Sequence, residues 1–134
     1  MEIAKFLQSA VAWAENESGI VAIALVGSHA RGEVRLDSDV DLMVLAPDPS
    51  AYLENPTWLE LFGVVASRET EDWGAVTSLR ALYEGGLEVE FGLSTPAWAD
   101  IPVDAGTRRV VSDGIRVLYD PGGILSALQR NVEA

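Results

Sequence analysis

The apolar run Val21–Val26 (VAIALV) stops at Gly27-Ser28, and the next apolar run opens with two acids, Asp39-Val40-Asp41-Leu42. This succession constrains the chain more than any other feature: a buried strand, a glycine turn, a short connection, then a second strand that is polar at its head. The Gly-Ser turn presents backbone N–H groups and a hydroxyl to an anion. Side chains two apart on a strand share a face with Cα atoms roughly 6.5–7 Å apart. Asp39 and Asp41 can therefore converge on one divalent ion while Val40 and Leu42 turn into the core. Hard cations such as Mg²⁺ take carboxylate and phosphate oxygens together. An anion cradle followed by a metal clasp points to chemistry on a nucleoside triphosphate, and the intervening HARGE segment adds a guanidinium at Arg31.

The rest of the chain reads as alternating helices and strands. Ile3, Phe6, Leu7, Ala10, Val11 and Ala14 recur at helical spacing, and Ser18-Gly19 stops that helix. The strand from Val40 to Leu45 ends at Pro47-Asp48-Pro49. Asn55-Pro56 predicts an N-cap and a first-position proline, opening a helix with Leu59, Phe62, Val65 and Ala66 on one side. Glu69, Glu71 and Asp72 form a charge run that reads as a solvated loop. Val76–Tyr83 and Leu87–Leu93 then flank Gly85-Gly86 as a hairpin. Asp104–Ser112 predicts a helix ending near Gly114, followed by a strand Ile115–Tyr119, with a hairpin through Asp113-Gly114 as the competing reading. Ile124, Leu125, Leu128 and Val132 suit a closing helix. The expected fold class is α/β (α+β): a single domain over residues 1–134, with a mixed sheet of about five strands flanked by helices.

A chain of 134 residues with 49% hydrophobic content can bury a real core. It lacks an apolar stretch of the ~20 residues that span a bilayer, and MEIAKF begins an amphipathic pattern instead of a secretion signal, so a cytoplasmic setting is expected. With no cysteine and one histidine, His29, thiolate and histidine-rich metal sites are excluded, and a metal would sit on oxygen ligands. The formal charge of −12, from 21 acids and 9 bases, works against a nucleic-acid partner, whose affinity comes from neutralised phosphates. A small substrate or a protein partner fits better.

A third carboxylate beside Asp39 and Asp41 would allow two metal ions to bind and an attacking oxygen to be placed. In the Leu87–Leu93 segment, Leu87, Val89, Phe91 and Leu93 share one face while Glu88 and Glu90 share the other. Glu90 is the leading choice and Glu88 the fallback. Acids pressed together raise one another's pKa values, so such a cluster makes physical sense mainly around cations.

The segment GSHARGEVRLDSDVDLMV resembles the signature of the polymerase-β-type nucleotidyltransferase superfamily: a strand, Gly-Ser, a spacer with Ala-Arg-Gly, then Ser-Asp-x-Asp before apolar residues. The later segment GGLEVEFGLSTP resembles the strand bearing the third carboxylate in the aminoglycoside adenylyltransferase branch, a register that selects Glu90. The resemblance implies a nucleotidyltransferase fold, with Gly27 and Ser28 holding the triphosphate, Arg31 assisting and Ser38 shaping the turn before Asp39. It further implies that Asp39, Asp41 and Glu90 are the catalytic acids that hold Mg²⁺, two ions in all, and that Glu90 helps deprotonate the acceptor. The implied reaction transfers a nucleoside monophosphate, AMP from ATP as first choice, to a hydroxyl of a small molecule or protein and releases pyrophosphate. Antibiotic adenylyltransferases of this family add a helical domain that helps bind the acceptor. A minimal member is therefore expected to borrow that site from a homodimer twin or a helical partner protein, as antitoxin members do that modify a partner toxin.

A non-catalytic nucleotide- or partner-binding module is the alternative, and the intact acids count against it. The other candidates carry less. His29 reads as a solvent-facing loop residue, and Arg35, Arg108 and Arg109 as surface arginines. Trp58, Trp73 and Trp98 could stack on a base but read first as packing. The one lysine, Lys5, lies on the first helix, and no GxxxxGK[ST] stretch is present, which sets aside lysyl-nucleotide ligases and P-loop NTPases.

Overall fold

The computed structural model describes residues 3–32 and 39–133. Among the described residues five α-helices and six strands follow one another in the order α1 Ile3–Glu15, β1 Ala22–Val26, α2 Ser28–Arg31, β2 Val40–Leu45, α3 Pro49–Glu54, β3 Val65–Asp72, β4 Thr77–Tyr83, β5 Glu88–Ser94, α4 Ala105–Asp113, β6 Ile115–Tyr119 and α5 Ile124–Glu133. The strands form one sheet in the order β3-β4-β5-β2-β1-β6. Among the described residues only the β2–β5 pair is parallel, so the sheet is mixed.

The central strands are covered on both faces because their alternating side chains feed two cores. On one face, Ile23 and Leu25 of β1, Val40, Leu42 and Val44 of β2, and Val89, Phe91 and Leu93 of β5 pack beneath α1. There Phe6, Trp13, Trp58, Phe62 and Phe91 form an aromatic cluster, with Trp13 and Trp58 stacked at 4.8 Å and 8°. On the other face, Ala22, Ala24 and Val26 of β1 and Met43 and Leu45 of β2 meet Val111, Leu125 and Leu128 of α4 and α5. Alanines on that side of β1 let the helices come close.

Two expectations are corrected. The sheet has six strands because Val65–Asp72, expected as a helix end and a solvated loop, forms the edge strand β3. The stretch opened by Pro56 is a 3-10 helix ending at Phe62, with no side-chain cap from Asn55; Gly63, at φ 148°, then turns the chain into β3. Arg68, Glu69 and Asp72 are the charges an edge strand uses, exposed to water and set against pairing with another sheet, while Glu71 turns to Arg80. The short helix α3 after Pro47-Asp48-Pro49 was also not expected. Helix α4 and strand β6 follow the first reading, with Asp104 as N-cap accepting from the N–H groups of Gly106 and Thr107, so the hairpin through Asp113-Gly114 is not formed. Among the described residues, no helix is long and apolar enough to cross a membrane.

Candidate active site

Strand register assembles the acids. In the parallel β2–β5 pair, Asp41 lies opposite Glu90, and in the antiparallel β4–β5 pair Glu90 lies opposite Arg80. Val26, the last residue of β1, lies on the other side of Asp41, and Ile115 of β6 follows it. A transverse row therefore runs Arg80–Glu90–Asp41–Val26–Ile115 across the sheet. Its polar members lie on the face away from α1, because Leu42, Val89 and Phe91 fill the other face.

Gly27 closes β1 at the end of this row with φ 75° and ψ −155°, and the single turn α2 starts at Ser28. A Cβ built on Gly27 would collide with the Asp41 carboxylate. The glycine is thus required both by its backbone angle and by the approach of that acid. Arg31 ends α2, and its Cγ lies 2.7 Å from where a Cβ on Gly114 would sit. The bare α4–β6 turn, at φ 137°, leaves the space in which Arg31 lies.

These residues open onto a cleft of about 880 Å³ bordered by Gly27, Arg31, Asp41 and Glu90, within the range of ligand sites. Its floor is made of small residues, Ser78, Gly92 and Ser94, on neighbouring strands. Its walls include Trp73, Val76, Trp98 and Val110. Of the tryptophans, Trp58 is core, whereas Trp73, 63% exposed, and Trp98 face the cleft.

The acids do not play equal parts. Asp41 and Glu90 share a side-chain hydrogen bond; burial, then Glu90, then Asp39 push the Asp41 pKa up to about 7 against the pull of Arg80. Asp39 instead pairs with the Arg80 guanidinium. Glu88 also bonds to Asp39, and this contact, with burial behind it, raises its pKa. It lies 3.6 Å from Arg80 and is the most exposed of that arginine's partners, at 37%. The register therefore places Glu90, not Glu88, beside Asp41.

Arg80 is the residue that sequence reasoning missed. Its guanidinium meets Asp39, Glu71 at 3.3 Å, Glu88 at 3.6 Å and Glu90 at 3.3 Å. Burial opposes its charge, but Glu90, Asp39 and Glu71 outweigh burial and hold it more firmly protonated than usual. The signal was the Gly85-Gly86 hairpin, whose register puts Arg80 across from Glu90. Ser38 and Arg35 lie outside the described residues. Ser28 and Asp39 adjoin the cleft without bordering it, and Arg108 and Arg109 are exposed on α4.

The donor set suits a hard divalent cation: carboxylate oxygens on adjacent strands, one of which, Asp41, is held protonated to about pH 7 by burial first and by its acidic neighbours second. In this arrangement Asp39 belongs to Arg80, and among the described residues no three acids converge into a ready metal cage.

Comparison with known proteins gives this geometry a class. The chain belongs to the nucleotidyltransferase domain family, whose profile matches residues 2–76. Among solved structures, an aminoglycoside 6-adenyltransferase from Bacillus subtilis has a similar fold, with a TM-score of 0.59 and 19% identity over 74% of this chain and 37% of that one. The chain thus spans little more than a third of that relative's length. No curated protein matches the sequence significantly. The fold is the nucleotidyltransferase fold of the polymerase-β type.

Proposed function

We propose that the cleft binds a nucleoside triphosphate with Mg²⁺ and transfers its nucleoside monophosphate to an acceptor hydroxyl, releasing pyrophosphate. The observation that carries this reading is the pairing of Asp41 with Glu90 at one end of a cleft whose border also holds Gly27 and Arg31. Gly27, Ser28 and Arg31 take the triphosphate, together with Ser38, which lies outside the described residues. Asp39, Asp41 and Glu90 hold the metal, two ions when fully loaded. Bound there, it neutralises charge on the α-phosphate and on the departing pyrophosphate.

The chain's own part is placement. The acceptor oxygen forms its bond to the α-phosphorus as the bond to pyrophosphate breaks, and Glu90 takes the acceptor's proton. Holding the reactants in line and supplying fixed charges provides most of the acceleration. The apolar walls with Trp73 and Trp98 suit a planar base or the acceptor's apolar part. ATP is the first-choice donor, since the solved relative is an adenyltransferase. The acceptor site is completed by a second copy of the chain or by a helical protein, in the cytoplasm where triphosphates and Mg²⁺ abound.

The test is titration calorimetry with ATP, GTP, CTP and UTP, with and without Mg²⁺, alongside pyrophosphate release. Metal-dependent binding lost in Asp39→Asn/Asp41→Asn supports the reading. A triphosphate that binds equally well to the double variant refutes it.

A further inference from the structure

The guanidinium of Arg80 is paired with Asp39 and Glu90, two of the three acids that the metal-binding reading gives to a cation. Five carboxylates, Asp39, Asp41, Glu71, Glu88 and Glu90, gather on one face of β2, β3 and β5 or just before β2, and Arg80 pairs with four of them. Two of its partners, Asp39 and Glu90, belong to the proposed metal set. The other two, Glu71 and Glu88, do not. Taking the divalent-metal reading of the site as given, we propose that Arg80 is a positioning residue. It serves as the internal counter-cation of the metal-free site and competes with the divalent ion for Asp39 and Glu90.

The guanidinium and a metal ion draw on the same two carboxylates. Nη1 is bonded to Asp39 Oδ2, and Nη2 lies 3.3 Å from Glu90 Oε2. A metal held by the same carboxylates draws off their negative charge and repels the guanidinium beside them. Release is cheap because Nε keeps Glu71 at 3.3 Å and Nη1 keeps Glu88 within reach at 3.6 Å. A planar fork with several donors can drop two carboxylates while retaining two others; an ammonium, a point charge, cannot bridge such a set. Without Arg80 the acids would face one another bare, so the same contact that opposes the metal also keeps the metal-free cluster from splaying.

The test measures Mn²⁺ binding by electron paramagnetic resonance, without nucleotide, on the full chain and on Arg80→Lys and Arg80→Gln, with melting temperatures in chelator and in Mn²⁺. Competition by contact predicts that both variants bind Mn²⁺ more tightly than the parent, by roughly 3- to 30-fold for two part-exposed ion pairs removed. Both should melt lower in chelator and gain more from Mn²⁺ than the parent does. Arg80→Lys keeps the charge and loses the fork, so it carries the test alone should Arg80→Gln fail to fold. An Arg80→Lys affinity equal to or weaker than the parent's overturns the proposal and leaves the metal site standing. Absence of Mn²⁺ binding in parent and variants alike overturns both this proposal and the metal reading beneath it.

Discussion

Asp41 and Glu90 face each other across the parallel β2–β5 pair and share a hydrogen bond, which places a protonated carboxyl at the edge of the cleft near neutral pH. Replacing Asp41 by Asn keeps a group that can bond Glu90 and removes a negative charge. Asp41→Asn is expected to fold, and at pH 8 in chelator to melt no lower than the parent. Pyrophosphate release should fall by roughly 100-fold or more. Calorimetric melting and a coupled pyrophosphate assay check the two halves separately.

The raised Asp41 pKa sets the sign of the pH dependence. From 3.8, its ordinary value, up to about 7, the folded state keeps a proton that the unfolded state has given up. Stability of the metal-free protein therefore declines as pH rises through this window, by at most about 1.4 kcal/mol per unit, and levels off above it. Glu88, raised chiefly by its bond to Asp39, works in the same direction. Urea unfolding in chelator from pH 4 to 8 should show the decline, and Asp41→Asn should flatten most of it. Because the proton competes with a metal, Mn²⁺ affinity should climb with pH to about neutrality and then level.

Gly92 keeps the cleft floor low. A Cβ there would sit 3.3 Å from Met43 Cε, 3.3 Å from Val76 Cγ1 and 3.4 Å from the Leu42 carbonyl oxygen; the methionine can swing aside, and the stiffer valine and the backbone need give only slightly. Gly92→Ala should cost little stability, whereas Gly92→Leu should fill the cleft and weaken triphosphate binding by roughly 10-fold or more while losing about 1–3 kcal/mol of stability. Equilibrium dialysis with labelled ATP, beside urea unfolding, tests this.

Gly114 makes room for Arg31. Gly114→Ala combines an unfavourable φ with a clash at Arg31 Cγ, so it should lose about 1–3 kcal/mol of stability and weaken triphosphate binding as Arg31→Ala does. If the glycine acts through the arginine, the double variant should bind no worse than the weaker single one. Additive losses would show that the two are independent.

Much of the fold was legible because its central elements are local signals. VAIALV, the Asp-x-Asp strand, the Gly85-Gly86 hairpin and the Asp104 cap each announce themselves within a few residues. Edge strand β3 did not, since RETED carries no apolar alternation and gains its structure from pairing with β4. Alternation named Asp41 as a cleft-facing acid and left Glu88 and Glu90 on one face, between which the family resemblance chose Glu90; Asp39 lies just before β2, where alternation no longer fixes its direction. Arg80 could not be separated from other arginines without the register that sets it against Glu90, and Trp73 and Trp98 became cleft walls only through the chain's long-range path.

The sheet also divides the four tryptophans into two optical populations. Trp13 of α1 and Trp58 are stacked in the core between that helix and the sheet, 7% and 8% exposed, while Trp73 and Trp98 border the cleft on the opposite face. Ligand entry should perturb the emission of one pair and leave the exciton-like stacking signal of the other intact until the chain unfolds. Near-ultraviolet dichroism and fluorescence quenching on the unmodified protein thus read integrity from one side of the sheet and occupancy from the other.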